Sequence, residues 1–215
     1  APAFSSLSPS TSSTVNTTAV GYTLSEAIAS GTVTYTRTGG TADGTVHTVN
    51  LAGTELNSGT RASAVLTNAP TLVSGSIYTI AFNGTDAGGN NATEVSVTGI
   101  TYDTTAPAFS SLSPSSSSTV NTTAVGYTLS KALVSGTVTY TRTSGTADSS
   151  SPHTVTLAGT ELNSGTRSSA ALTNAPTLVS GSIYTIAFNG TNAAGNNATE
   201  QTVTGITYDT TAPAI

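Results

Sequence analysis

Leu72-Val73-Ser74-Gly75-Ser76-Ile77-Tyr78-Thr79-Ile80-Ala81-Phe82-Asn83 decides how this chain is read. Ser74-Gly75 is a turn signal. After it, Tyr78, Ile80 and Phe82 alternate with Thr79, Ala81 and Asn83, the period-two pattern of a strand with one face in a core. The same residues return unchanged from Leu178 to Asn189.

The recurrence extends in both directions. Ala3 to Asp43 aligns with Ala108 to Asp148 at a shift of 105, and His47 to Pro107 with His153 to Pro213 at a shift of 106; 90 of 102 aligned positions are identical. The extra residue falls where Gly44-Thr45-Val46 becomes Ser149-Ser150-Ser151-Pro152. So long a period exceeds the roughly 20–50 residues of solenoid units. It is long enough for a domain with its own core. The expected modules are residues 1–105 and 106–215.

Strand signals recur along each copy, and no stretch has helical periodicity. In copy 1, Phe4 and Leu7 mark a short first strand ending at Pro9, followed by a Ser/Thr loop from Ser10 to Thr14. Val20, Tyr22 and Leu24 alternate, as do Val33 and Tyr35 after Gly31. Gly39-Gly40 and Asp43-Gly44 signal turns. Short strands are expected over Thr48–Leu51 and Ala64–Leu66, then Ile77–Asn83, a Gly/Asn loop from Gly84 to Asn91, and a last strand from Val95 to Tyr102. The fold class expected is all-β: two tandem immunoglobulin-like β-sandwiches of about seven strands each, end to end.

Leu72 to Tyr78 resembles the turn-plus-tyrosine segment before the penultimate strand of fibronectin type III and bacterial immunoglobulin-like domains, in which a buried ring fills the sandwich edge and its hydroxyl bonds backbone across the turn. Asn83-Gly84-Thr85-Asp86-Ala87-Gly88-Gly89-Asn90, then a strand, then Tyr102-Asp103-Thr104-Thr105-Ala106-Pro107 resembles the bacterial immunoglobulin-like repeats of very large adhesins and other surface proteins. Their last loop often reads Asp-x-Ala-Gly-Asn, and Asp-Thr-Thr-Ala-Pro joins their repeats. Asn192-Ala193-Ala194-Gly195-Asn196 and Asp209 to Pro213 match in copy 2. The resemblance spans the repeat length, with its specific motifs in the last third. It implies stalk or extender segments, and in a few repeats ligand binding. Apart from the resemblance, Pro107 fixes its own φ and biases Ala106 to an extended conformation, which favours a stiff joint.

Composition narrows the classes of function. Charged residues are 7% of the chain, and the formal net charge is −5. Arg37, Arg61, Lys131, Arg142 and Arg167 are the only cationic Lys/Arg residues, which leaves no basic patch for nucleic acid. No apolar run of about 20 residues is present to span a membrane as a helix. There is no Cys, so neither disulfides nor thiol chemistry are available; this fits a bacterial surface protein that folds after export without fixing the compartment. With no Met, and with Ala1-Pro2 and Pro213-Ala214-Ile215 at its ends, the chain reads as a slice of a longer array.

Candidate chemistry is sparse. His47 and His153 lie in Thr-rich strands and are expected to face solvent. Glu55 and Glu161 each have an arginine six residues on, Arg61 or Arg167, which suggests a surface ion pair across a loop. No Gly-x-Ser-x-Gly elbow or phosphate-cradling loop occurs. Lys131 stands where copy 1 has Glu26, which argues against a Lys–Asn crosslink. The residues call for no required cofactor and no catalytic group. Calcium is the candidate ion, since it takes oxygen ligands: Asp86 and Asn90 in the last loop, Asp103 and Asp209 after the last strands. The alternative for Asp103 is a cap on the amides of Thr104 or Thr105. Copy 2 has Asn192 in place of Asp86. Thr32, Thr34, Thr36 and Thr38 form a threonine ladder, and Asn16, Asn83, Asn91, Asn121, Asn189 and Asn197 begin Asn-x-Thr sequons.

The function expected is a non-catalytic spacer or stalk segment of a long repetitive extracellular protein, a bacterial adhesin by resemblance. Its partners would be neighbouring repeats and other copies in a filament or cell-surface layer. The alternatives are a building block of an extracellular filament or sheath, joined by strand exchange or edge pairing, and a carbohydrate-binding module.

Overall fold

The computed structural model describes residues 1–213; Ala214 and Ile215, the end of the expected second module, lie outside the described residues. The chain divides into two compact units, Ala1–Thr105 and Ala106–Ile215.

Unit 1 holds β1 (Phe4–Ser8), β2 (Thr14–Val15), β3 (Val20–Leu24), β4 (Ser30–Gly40), β5 (His47–Asn50), β6 (Gly59–Ala64), β7 (Ser76–Thr85) and β8 (Val95–Tyr102). Its helix is one 3-10 turn, Gly53–Leu56. Strands β1-β3-β6 form one sheet and β2-β8-β7-β4-β5 the other, antiparallel except where β2 runs parallel to β8. This is an immunoglobulin-like sandwich. Unit 2 repeats it as β9 (Phe109–Ser113), β10 (Thr119–Val120), β11 (Val125–Leu129), β12 (Ser135–Gly145), β13 (His153–Thr156), β14 (Gly165–Ala170), β15 (Ser182–Thr191) and β16 (Gln201–Tyr208), with a 3-10 turn at Gly159–Leu162.

The alternation read in Tyr78, Ile80 and Phe82 puts all three in the core, at 0%, 3% and 0% exposure. They meet Val20, Tyr22 and Leu24 of β3, Phe4 of β1, and Val33 and Tyr35 of β4. Phe4, Tyr22 and Phe82 form an aromatic triangle with ring centroids 5.4–6.0 Å apart; Tyr22 meets both phenylalanines edge-on, the geometry such rings prefer, and the two phenylalanines are tilted to each other. Unit 2 builds the same core from Phe109 to Ile206 using its own residues.

Each unit has eight strands, in line with the about seven expected; the eighth is β2, where the Ser/Thr loop ends, and its neighbour bonds the last strand (Thr101 N–H to Ser13 O, 2.9 Å). Two local expectations are corrected. The strand expected at Ala64–Leu66 lies earlier, at Gly59–Ala64; its side chains are mostly exposed, so no apolar alternation marked it. The threonine ladder breaks at Thr38, where β4 gains one residue against β7 between the pairs Arg37↔Tyr78 and Gly39↔Ile77. In β8, Val97 and Ile100 are both buried although three residues apart, because β8 bulges between the pairs Tyr78↔Ile100 and Ile80↔Val97. Gly99 takes φ +70° at that bulge, a conformation open to glycine at little cost.

Candidate functional site

The densest polar constellation lies where the β4–β5 hairpin meets the start of β7. Pairing of Gly40 with Ser76 carries the hairpin tip over the turn at Gly75. There the Thr41 amide donates to Gly75 O (2.9 Å) and the Ser76 hydroxyl to Thr41 O (2.7 Å). The chain then turns Asp43 inward, leaving its side chain 6% exposed. Asp43 Oδ2 accepts from the Tyr78 hydroxyl (2.6 Å) and from His47 Nε2 (2.8 Å), while Oδ1 accepts the Thr45 amide (3.1 Å). A carboxylate accepts only, so His47 Nε2 is the donor of this bond. The Tyr78 hydroxyl also accepts the Val73 amide at 3.1 Å, the backbone bond that the turn-plus-tyrosine segment implied.

Unit 2 rebuilds this cluster across its longer loop. Asp148 Oδ2 accepts from Tyr184 (2.7 Å) and His153 Nε2 (2.7 Å), and Oδ1 accepts the Ser150 amide (3.0 Å). The expectation that both histidines face solvent is corrected: their side chains are 18% and 14% exposed, each held against an aspartate. The sequence signal was Asp followed four or five residues later by His across a turn, which is ambiguous without the tyrosine that completes it.

Hydrogen bonding holds both carboxyls at about 2. For Asp43 the Tyr78 hydroxyl contributes most, then His47 and Thr45; for Asp148, His153 contributes most, then Tyr184, with a smaller part from Ser150. Burial, with the adjoining carboxylate, pushes the Tyr78 and Tyr184 phenols up. Such a base and such an acid are poorly matched to proton transfer near neutrality. What the arrangement does is pin the hairpin to the corner of the sandwich.

Glu55 and Glu161 overturn the surface-pair reading. Glu55 is 3% exposed; Oε1 accepts the Thr67 amide (2.7 Å) and hydroxyl (3.0 Å), and Oε2 accepts the Ala52 amide (2.9 Å). Arg61 stands 3.7 Å away and donates to the carbonyls of Val20, Ala64 and Val65. Burial pushes the Glu55 carboxyl up, but the amides of Thr67 and Ala52, the Thr67 hydroxyl and Arg61 outweigh it and hold it below the usual range. Glu161 repeats this with Ala158, Thr173 and Arg167.

The calcium candidates are placed as follows. Asp86 and Asn90 share one tight loop: Asp86 Oδ1 accepts the amides of Gly88 (2.8 Å) and Asn90 (2.9 Å), and Oδ2 accepts Asn90 Nδ2 (2.9 Å). Asn192 keeps the loop with its own Oδ1, accepting from Ala194 (3.1 Å) and Asn196 (2.9 Å), so the exchange of Asp for Asn preserves the acceptor. Asp103 and Asp209 lie beyond β8 and β16; their Oδ1 atoms cap the amides of Thr105 (2.9 Å) and Thr211 (2.8 Å). Strand β8 thus separates Asp103 from Asp86. Among the described residues no three His, Cys, Asp or Glu side chains are grouped to hold a metal. No helix among them is long and apolar enough to cross a membrane.

No family model and no curated protein matches this sequence. Among solved structures, the FN1–FN3 domains of chicken CNTN1 align with 96% of this chain and 67% of their own, at 12% identity and a TM-score of 0.44.

Proposed function

We propose that this chain is a non-catalytic spacer from a long repetitive extracellular protein of the bacterial adhesin type. The carrying observation is how little chain is left between the anchors of the two units. On the first, the Asp103 amide donates to Val15 O (2.8 Å), the Thr104 amide to Ser74 Oγ (3.0 Å) and the Thr105 amide to Asp103 Oδ1 (2.9 Å). On the second, Pro107 is buried and the Ala108 amide donates to Ser130 Oγ (2.8 Å). That leaves Ala106, whose backbone Pro107 already restricts. A stalk needs joints of this kind, and the Asp-Thr-Thr-Ala-Pro series and near-identical modules agree with an array.

Small-angle scattering tests the reading. The expected maximum dimension is near twice that of residues 106–215 alone, and a Gly-Ser-Gly-Ser insertion after Ala106 is expected to broaden the distance distribution. A compact pair before the insertion would overturn it. A second reading, assembly of copies through sheet edges, is favoured by β6, an edge strand without Pro whose one charge, Arg61, is turned back onto the carbonyls of Val20, Ala64 and Val65. It predicts a mass that rises with concentration.

A further inference from the structure

The outer face of the large sheet carries a groove that the spacer reading does not use. In unit 1 it has a volume of about 540 Å³, within the size of small-ligand sites. It is built from two rows of side chains on neighbouring strands. Thr32 pairs with Asn50 on one side and Asn83 on the other, and Ser30 pairs with Thr85, which bridges to Asn91. Unit 2 has the groove in the same place, at about 420 Å³, from Thr137, Thr156 and Asn189 and from Ser135, Thr191 and Asn197.

Its chemistry is narrow. No Lys, Arg, His, Asp or Glu lines either groove, so neither anions nor cations are matched by charge. No aromatic ring lines it, so a flat base or lipid chain finds no platform. The polar groups are arranged to be open: Asn83 Oδ1 accepts the Gly84 amide (2.8 Å), leaving Nδ2 to donate outward, and Thr85 donates to Asn91 Oδ1 (2.7 Å), leaving Asn91 Nδ2. Among the described residues, nothing bonds the side chains of Ser30, Thr32 or Asn50. A matching ligand must be uncharged and must both donate and accept at several closely spaced points. Hydroxyl groups on a sugar do this.

We propose that the two grooves are binding sites for a neutral oligosaccharide, with Asn83 and Asn189 as the central donors. The inference does not rest on the spacer reading, since each groove belongs to one unit. Without an aromatic platform each site binds weakly, with a Kd on the order of millimolar. Repetition along a chain then supplies avidity.

The test is a titration of the ¹⁵N-labelled chain with maltohexaose, cellohexaose and mannohexaose to roughly 10 mM, following the side-chain amides of Asn50, Asn83, Asn91, Asn189 and Asn197. At least one sugar is expected to give saturable shifts confined to the grooves. Asn83→Ala is expected to abolish them in unit 1 and leave unit 2 responsive, with the dispersed backbone amide signals of unit 1 reporting that it stays folded; Asn50→Ala serves as the second variant and is expected to weaken them. No saturable shift with any of the three sugars, shifts that survive Asn83→Ala combined with Asn189→Ala, or stronger binding of the anionic hexagalacturonate would overturn the proposal.

Discussion

Tyr78 places its hydroxyl 2.6 Å from Asp43 Oδ2 while accepting the Val73 amide at 3.1 Å. One phenol thus ties the β4–β5 hairpin to the turn that starts β7, with its ring wholly buried. Tyr78→Phe keeps the ring and strands both the Val73 amide and one bond of Asp43. The expected cost is roughly 1–3 kcal/mol, against roughly 3–5 kcal/mol for Tyr78→Ala. Denaturant unfolding of the two-module chain resolves this if the unmutated module serves as internal reference. Equal costs for the two variants would assign no role to the hydroxyl.

Acid is expected to destabilise both modules in a defined interval. A carboxyl held below its unfolded value binds protons less readily folded than unfolded, so stability rises with pH across the gap. The contribution of Asp43 and Asp148 is complete above the ordinary aspartate value of about 3.9 and is lost as pH falls through about 2. That of Glu55 and Glu161 is lost below their ordinary 4.5. Melting temperature should be level above roughly pH 5 and fall from there toward pH 2. Asp43→Asn with Asp148→Asn should flatten the lower part of that fall.

Glu55→Ala removes the acceptor from two amides and a hydroxyl at a buried site, and is expected to cost roughly 1–3 kcal/mol. A surface ion pair would cost roughly 0–1 kcal/mol. Glu55→Gln keeps one carbonyl acceptor for Thr67 and should fall between the wild type and Glu55→Ala. A cost below about 0.5 kcal/mol for Glu55→Ala would restore the surface reading.

Calcium is expected to change little. The acceptors of Asp86 and Asp103 already serve neighbouring amides, so millimolar Ca²⁺ or a chelator should move the melting temperature by less than about 2 °C, a ΔΔG under roughly 0.5 kcal/mol. A rise of several degrees that Asp103→Asn abolishes would establish a site there.

Residues 106–215 should unfold cooperatively when expressed alone, because their core cluster draws on no residue of the first unit. A broad, non-cooperative melt would argue for strand exchange between copies.

The sequence by itself determined the repeat, the strand character of most elements and the inward face of Tyr22, Tyr35, Tyr78 and Phe82, because alternation and turn chemistry are local properties of the backbone. It also located the turn that the Tyr78 hydroxyl spans. The tertiary structure decided which carboxylates are structural. Asp43 finds Tyr78 35 residues away, and Glu55 finds Thr67 12 residues away. In the sequence both look like ordinary polar loop residues, since burial of a charge is legible only once the groups that satisfy it are in place. The same holds for β6, whose exposed side chains carry no pattern, and for the groove, whose rows form only when β4, β5 and β7 are in register. Local pattern sets which way a side chain points; pairing across the sheet sets what it meets.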